Sequence, residues 1–143
     1  MRYMSAPLSI RFDSTILDRL RKRARSVPGA TPSGLAERLV DEGLRMAEYP
    51  GILFKDGPTG RRAALALGPD VWEVTKVVSE LDERGERAIT AAADMLNLPV
   101  ERVRLALSYY GAHPQEIDAE IAMADEESRA AEHAWQAEQR LLA

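Results

Sequence analysis

The sequence predicts a mainly α-helical protein with a strand–helix–helix unit first, a small hairpin and helical bundle next, and one long helix last. Three observations carry this. Residues 8–12 alternate apolar and polar and are followed by two helical periods. Residues 50–69 are broken repeatedly by Gly and Pro, the mark of turns around short strands. From Pro114 to Leu142 nothing interrupts a helix. The expected divisions are therefore 1–49, 50–113 and 114–143.

In the first division Leu8, Ile10 and Phe12 alternate with Ser9 and Arg11, the pattern of a half-buried strand. A lone five-residue strand needs a partner, and no second strand follows nearby. Asp13 or Ser14 then offers an N-cap. Ile16, Leu17, Leu20, Ala24 and Val27 recur at helical spacing until Pro28-Gly29. Thr31 caps the next helix, with Pro32 at its first position. Leu35, Leu39, Val40, Gly43, Leu44 and Ala47 form its apolar face, and Tyr49-Pro50-Gly51 ends it. These faces are too many for so small a monomer to bury. The expected solution is an intertwined homodimer through one strand per chain. Ser9 and Arg11 of both chains would then lie on one exposed face of a two-stranded ribbon, a shape the major groove of DNA admits.

The run Leu8-Ser9-Ile10-Arg11-Phe12-Asp13-Ser14-Thr15-Ile16-Leu17-Asp18-Arg19-Leu20-Arg21-Lys22-Arg23-Ala24 resembles the ribbon-helix-helix repressors, which include many antitoxins, among them those of the VapB type. The resemblance covers residues 7–48. It implies that Ser9 and Arg11 read base edges and that Thr31 and Ser33 hold DNA phosphates at a helix N-terminus. The dipole and free amides there favour anions. One departure is Pro7, where the family presents a third polar reader. DNA shape or protein cooperativity would then carry part of the specificity.

In the second division Ile52-Leu53-Phe54 and Arg62-Ala63-Ala64-Leu65 flank a Gly- and Pro-containing turn, so a hairpin is expected. Gly57 to Arg62 lacks the Lys-Ser/Thr ending of a phosphate-binding loop. Asp70 caps a helix with Val71, Val74, Val78 and Leu81 on one face, with Trp72 beside it as core or interface. Ala88, Ile89, Ala92 and Leu96 mark another helix. After Asn97-Leu98-Pro99, Val100, Val103, Leu107 and Tyr110 mark a third. Helix, short turn, helix is a helix-turn-helix skeleton. The order of Gly60-Arg61-Arg62, Pro69 to Val74 and Leu98 to Tyr110 resembles the domain-of-unknown-function 433 family over residues 50–117. That resemblance implies an antitoxin whose partner is a PIN-like ribonuclease toxin. The family's Ile-x-Gly-Thr-Arg segment is replaced here by Leu65-Ala66-Leu67-Gly68-Pro69, so the role of that Arg does not transfer.

In the third division Ile117, Ile121, Ala124, Ser128, Ala131 and Trp135 recur every three or four residues as a narrow apolar stripe. Glu116, Asp118, Glu120, Asp125, Glu126 and Glu127 are expected on the outer face. Trp135, Leu141 and Leu142 are the candidate anchors for a toxin, because Trp is frequent among energetically dominant interface residues.

Charge supports this division of labour. Residues 1–49 hold nine basic and six acidic side chains, residues 50–114 eight and nine, and residues 115–143 two and eight. A basic head suits nucleic acid and an acidic tail suits a basic protein surface. No stretch reaches the roughly 20 apolar residues of a spanning helix. The N-terminal residues lack a signal pattern, so the expected compartment is the cytoplasm. With no cysteine and two histidines, no catalytic constellation, metal site or cofactor is expected. The expected function is an antitoxin that neutralises a toxin and represses its own operon through operator DNA. The alternatives are a stand-alone ribbon-helix-helix regulator and a pure interaction adaptor, which would leave Ser9 and Arg11 without a task.

Overall fold

The computed structural model describes residues 4–57 and 60–143. Met1, Arg2 and Tyr3 of the N-terminal reading, and Pro58 and Thr59 of the expected turn, lie outside the described residues. Among the described residues six helices and one two-stranded antiparallel hairpin follow in the order α1 Ser14–Ser26, α2 Pro32–Glu48, β1 Ile52–Gly57, β2 Gly60–Leu65, α3 Val71–Glu80, α4 Glu86–Leu96, α5 Val100–Ala112 and α6 Pro114–Leu142. Among the described residues no helix is long and apolar enough to cross a membrane. The chain divides into two compact units, Met1–Leu44 and Arg45–Ala143, with the boundary inside α2.

In the first unit the expected strand over residues 8–12 is not formed. Those residues are irregular and exposed, and their backbone forms no hydrogen bond among the described residues. The physical reason is that a strand is completed by a neighbour, and the described residues of the first unit hold no second strand. Asp13 caps α1, its carboxylate accepting from Thr15 N–H at 3.1 Å. Thr31 caps α2, its hydroxyl oxygen accepting from Gly34 N–H at 3.1 Å.

The second unit holds the principal core. The turn into β1 requires Gly51, whose φ of +104° disfavours other residues and whose absent Cβ would meet Leu105 at 2.8 Å. β1 and β2 pair from Ile52↔Leu65 to Gly57↔Gly60, which puts Ile52, Phe54, Ala63 and Leu65 on one face. That face packs with Val71 and Val74 of α3, Val103 and Tyr109 of α5 and Ile117 of α6. Asn97, in the left-handed conformation, closes α4 and leads into α5.

Two faces differ from those the sequence predicts. On α5 the fully buried side chains are Val103, Ala106 and Tyr109, while Val100, Leu107 and Tyr110 are half-buried. α5 touches β2, α3, α4 and α6, so it is covered around most of its circumference and its period does not reveal which side is deepest. On α6, Ile117 is fully buried and Ile121 and Ala124 partly so, but Ser128, Ala131 and Trp135 are exposed. The stripe outruns the body it packs on.

Candidate nucleic-acid and partner interfaces

The first unit buries very little. Ala24 and Leu35 are its buried apolar residues, joined by the carboxylate-bearing Glu42, which pairs with Arg38 at 3.7 Å. Leu8, Ile10, Phe12, Ile16, Leu39, Val40 and Leu44 are all exposed. Between α1 and α2 lies an open groove of about 670 Å³, floored by Phe12, Ile16, Leu20, Ala36, Leu39 and Val40. Arg19, Lys22 and Arg23 stand along its edge.

The same unit carries exposed cations. Arg11 precedes α1, and Arg19, Arg21, Lys22, Arg23 and Arg25 lie on it. Among the described residues none of the six forms an ion pair. Arg23 and Arg25 sit in the last turn, where they also complement the helix dipole.

Ser9 and Arg11 are exposed in the irregular segment, and Thr31 and Ser33 are exposed at the start of α2. Among the described residues no hydrogen bond or ion pair links the two pairs in the single chain. Thr31 spends its hydroxyl lone pair on Gly34 N–H, while Ser33 N–H, at the second helical position, has no intrahelical acceptor. Trp135, Leu141 and Leu142 are strongly exposed on α6. Trp135 and Leu142 share a face, being seven residues apart, and residues 126–143 are exposed throughout.

Sequence reasoning missed two polar clusters in the second unit. In the first, Arg45 Nη1 donates to Tyr109 Oη at 2.8 Å and to Glu116 Oε1 at 2.9 Å, and Tyr109 Oη donates to Glu116 Oε2 at 2.8 Å. Burial opposes the Arg45 charge, but these bonds outweigh it and raise its pKa. Burial likewise holds the Tyr109 phenol well above its ordinary range. The Tyr109 ring stacks edge-on to Tyr49 at 5.3 Å and lies tilted over His113 at 4.6 Å. His113 is thus an aromatic partner joining α5 to α6.

In the second cluster buried Asp70 accepts from Trp72 Nε1 at 3.0 Å and pairs with Lys55 at 2.7 Å and Arg62 at 2.9 Å. Its own amide donates to Glu73 Oε2 at 2.7 Å, half of a capping box. The sequence signalled Asp70 only as a cap. The acids of α6 also divide. Glu116 and Asp118 bond Tyr109 and Tyr110, Asp125 pairs with Lys76, and Glu120 is turned inward. They do not form the purely outward acidic face the sequence predicts, because the first turns of α6 lie on α3 and α5.

No protein-family model matches the chain, and no curated protein and no solved structure is significantly similar to it.

Proposed function

We propose that the chain is the antitoxin of a type II toxin–antitoxin pair and the repressor of its own operon. In this reading residues 8–12 of two copies pair as an antiparallel ribbon, and the ribbon enters the major groove of operator DNA. Ser9 and Arg11 read bases, and Thr31 and Ser33 hold phosphates. The rest of the chain binds and inhibits a PIN-like ribonuclease toxin, with Trp135, Leu141 and Leu142 as anchors on α6.

The observation that carries the reading is the state of the first unit. Among the described residues it leaves a row of large apolar side chains uncovered, a five-residue segment without backbone partners and six cations without ion pairs. A second copy would cover the apolar row and pair the exposed segment symmetrically. The cations would meet a polyanion. The exposed half of α6 supports the partner-binding part in the same way, since a helix of about 40 Å is covered by its own chain only over its first turns.

The test is growth rescue. The adjacent reading frame is expressed alone, with the full chain, and with a chain ending after residue 125. The cut is placed there because Ile117 and Ile121 belong to the core. Toxicity relieved by the full chain but not by the shortened one is the expected result. A harmless neighbour, combined with retained binding to the protein's own promoter, would instead make the chain a stand-alone regulator.

A further inference from the structure

Glu120 is the one acid of α6 whose carboxylate is both sealed from solvent and without a hydrogen-bond partner at either oxygen among the described residues. It lines a cavity of about 40 Å³ together with Arg62 of β2, Trp72 of α3, and Met123, Ala124 and Glu127 of α6. The charges that face it are unequal. From α6 come Glu116 and Glu127, from the N-cap of α3 comes Asp70, and from β2 comes Arg62. Arg62 is already committed to Asp70, as is Lys55 of β1. An ionised carboxylate at this place would be sealed from solvent beside Glu116 and Asp70, with Arg62 shared with Asp70 as the opposing charge, an arrangement that favours the neutral form.

We propose that the seat of α6 on α3, beside Arg62 of β2, is a proton-controlled latch, closed when Glu120 carries a proton and loosened when it ionises. On ionisation the carboxylate repels Glu116 and Asp70 and draws water into the cavity beside Trp72. Burial, then Glu116 and Asp70, push the Glu120 carboxyl up to about 7, with Arg62 opposing, so the latch operates near neutral pH. The Tyr110–Asp118 and Lys76–Asp125 contacts lie on either side of Glu120 along α6. They keep the helix attached, so the change is a local shift of α6 at its seat. The inference stands on the packing of the second unit and is independent of the proposed antitoxin role.

The test uses the full chain with Trp135→Phe, which leaves Trp72 as the only tryptophan. Its emission is followed from pH 5 to 9. A spectral shift with a midpoint near 7, abolished by Glu120→Gln, is the expected result. A shift that persists unchanged in Glu120→Gln assigns the transition to another group and overturns the latch. A flat profile overturns it as well. Carboxyl carbon NMR of the unmutated protein supplies a readout that does not depend on a variant folding. A Glu120 resonance titrating near 7 supports the latch, and one titrating in the ordinary glutamate range near 4.3 rejects it.

Discussion

Arg45 and Glu116 stand 71 residues apart in sequence and 2.9 Å apart in space, with the Tyr109 hydroxyl bonded to both. Arg45 belongs to the last turn of α2 and Glu116 to the first turn of α6. The triad therefore ties the end of α2 to the start of α6 around Tyr109, a fully buried aromatic ring of the core. Tyr109→Phe keeps the ring and removes the bridge. The expected loss is about 1–2 kcal/mol, the net worth of one or two intramolecular hydrogen bonds. Urea unfolding at neutral pH measures it, and an unchanged midpoint would show that the Arg45–Glu116 pair alone suffices.

Asp70 is a buried carboxylate with three partners on three side chains. Asp70→Asn retains the shape and removes the charge, leaving Lys55 and Arg62 facing a neutral amide. Breaking a buried pair from one side costs about 3–5 kcal/mol. Lys55 is half-exposed and recovers water, so a loss near the lower end is expected. Thermal unfolding followed by circular dichroism checks it, and a change under 1 kcal/mol would contradict the role given to Asp70.

The exposed row on α1 and α2 predicts self-association. Ile16→Glu combined with Leu39→Glu removes two apolar side chains, each worth about 1.5–3 kcal/mol when fully buried. The two together should weaken dimerisation by at least about a hundredfold. Sedimentation equilibrium reads this directly, and the helical signal of the second unit should be retained. A parent protein that stays monomeric at tens of micromolar removes the ribbon from consideration.

Arg11 and Thr31 should fail in different ways on promoter DNA. Arg11→Ala loses about 1–3 kcal/mol of base discrimination, so its affinity should approach that for unrelated DNA. Thr31→Ala should weaken all sequences alike and also lower helix stability by about 1 kcal/mol through the lost cap. Titrations on specific and random DNA separate the two outcomes, and because Thr31 is uncharged its loss should leave the log–log salt slope unchanged. Equal loss on specific and random DNA for Arg11→Ala would exclude it as a base reader.

Glu120 gives stability a definite pH slope. Its carboxyl is near 7 in the folded chain and in the ordinary range near 4.3 when unfolded. The folded form therefore holds the proton where the unfolded form has released it. The contribution is fully present below about 4.3, declines as pH rises, and is gone above about 7. Glu120→Gln should remove that decline and leave the mutant more stable than the parent at pH 8. Equal slopes for parent and mutant in denaturant melts between pH 5 and 8 would refute this.

Most of the elements were legible in the sequence because their signals are local. Asp13, Thr31, Asp70 and Pro114 mark helix starts, Gly51 marks a turn, and Pro114 to Leu142 is unbroken, so α1 to α6 and the hairpin fall where caps, breakers and periodicity place them. The candidate contacts Ser9 and Arg11 were legible as the polar positions of an alternating segment, and Thr31, Ser33, Trp135, Leu141 and Leu142 as residue types only; all seven are exposed. Tertiary structure alone decided the rest. Residues 8–12 have strand character but no strand, because pairing is a property of two segments and the described residues of the first unit hold no second strand. Tyr109 rather than Tyr110 is buried because α5 is enclosed on several sides. Glu120 turned from one acid in an outward row into a sealed, unpartnered carboxyl because helix α6 lies against Arg62, Trp72 and Asp70, residues about fifty positions earlier. Local patterns record what a residue prefers; which residues meet is set only when distant elements pack and exclude water between them.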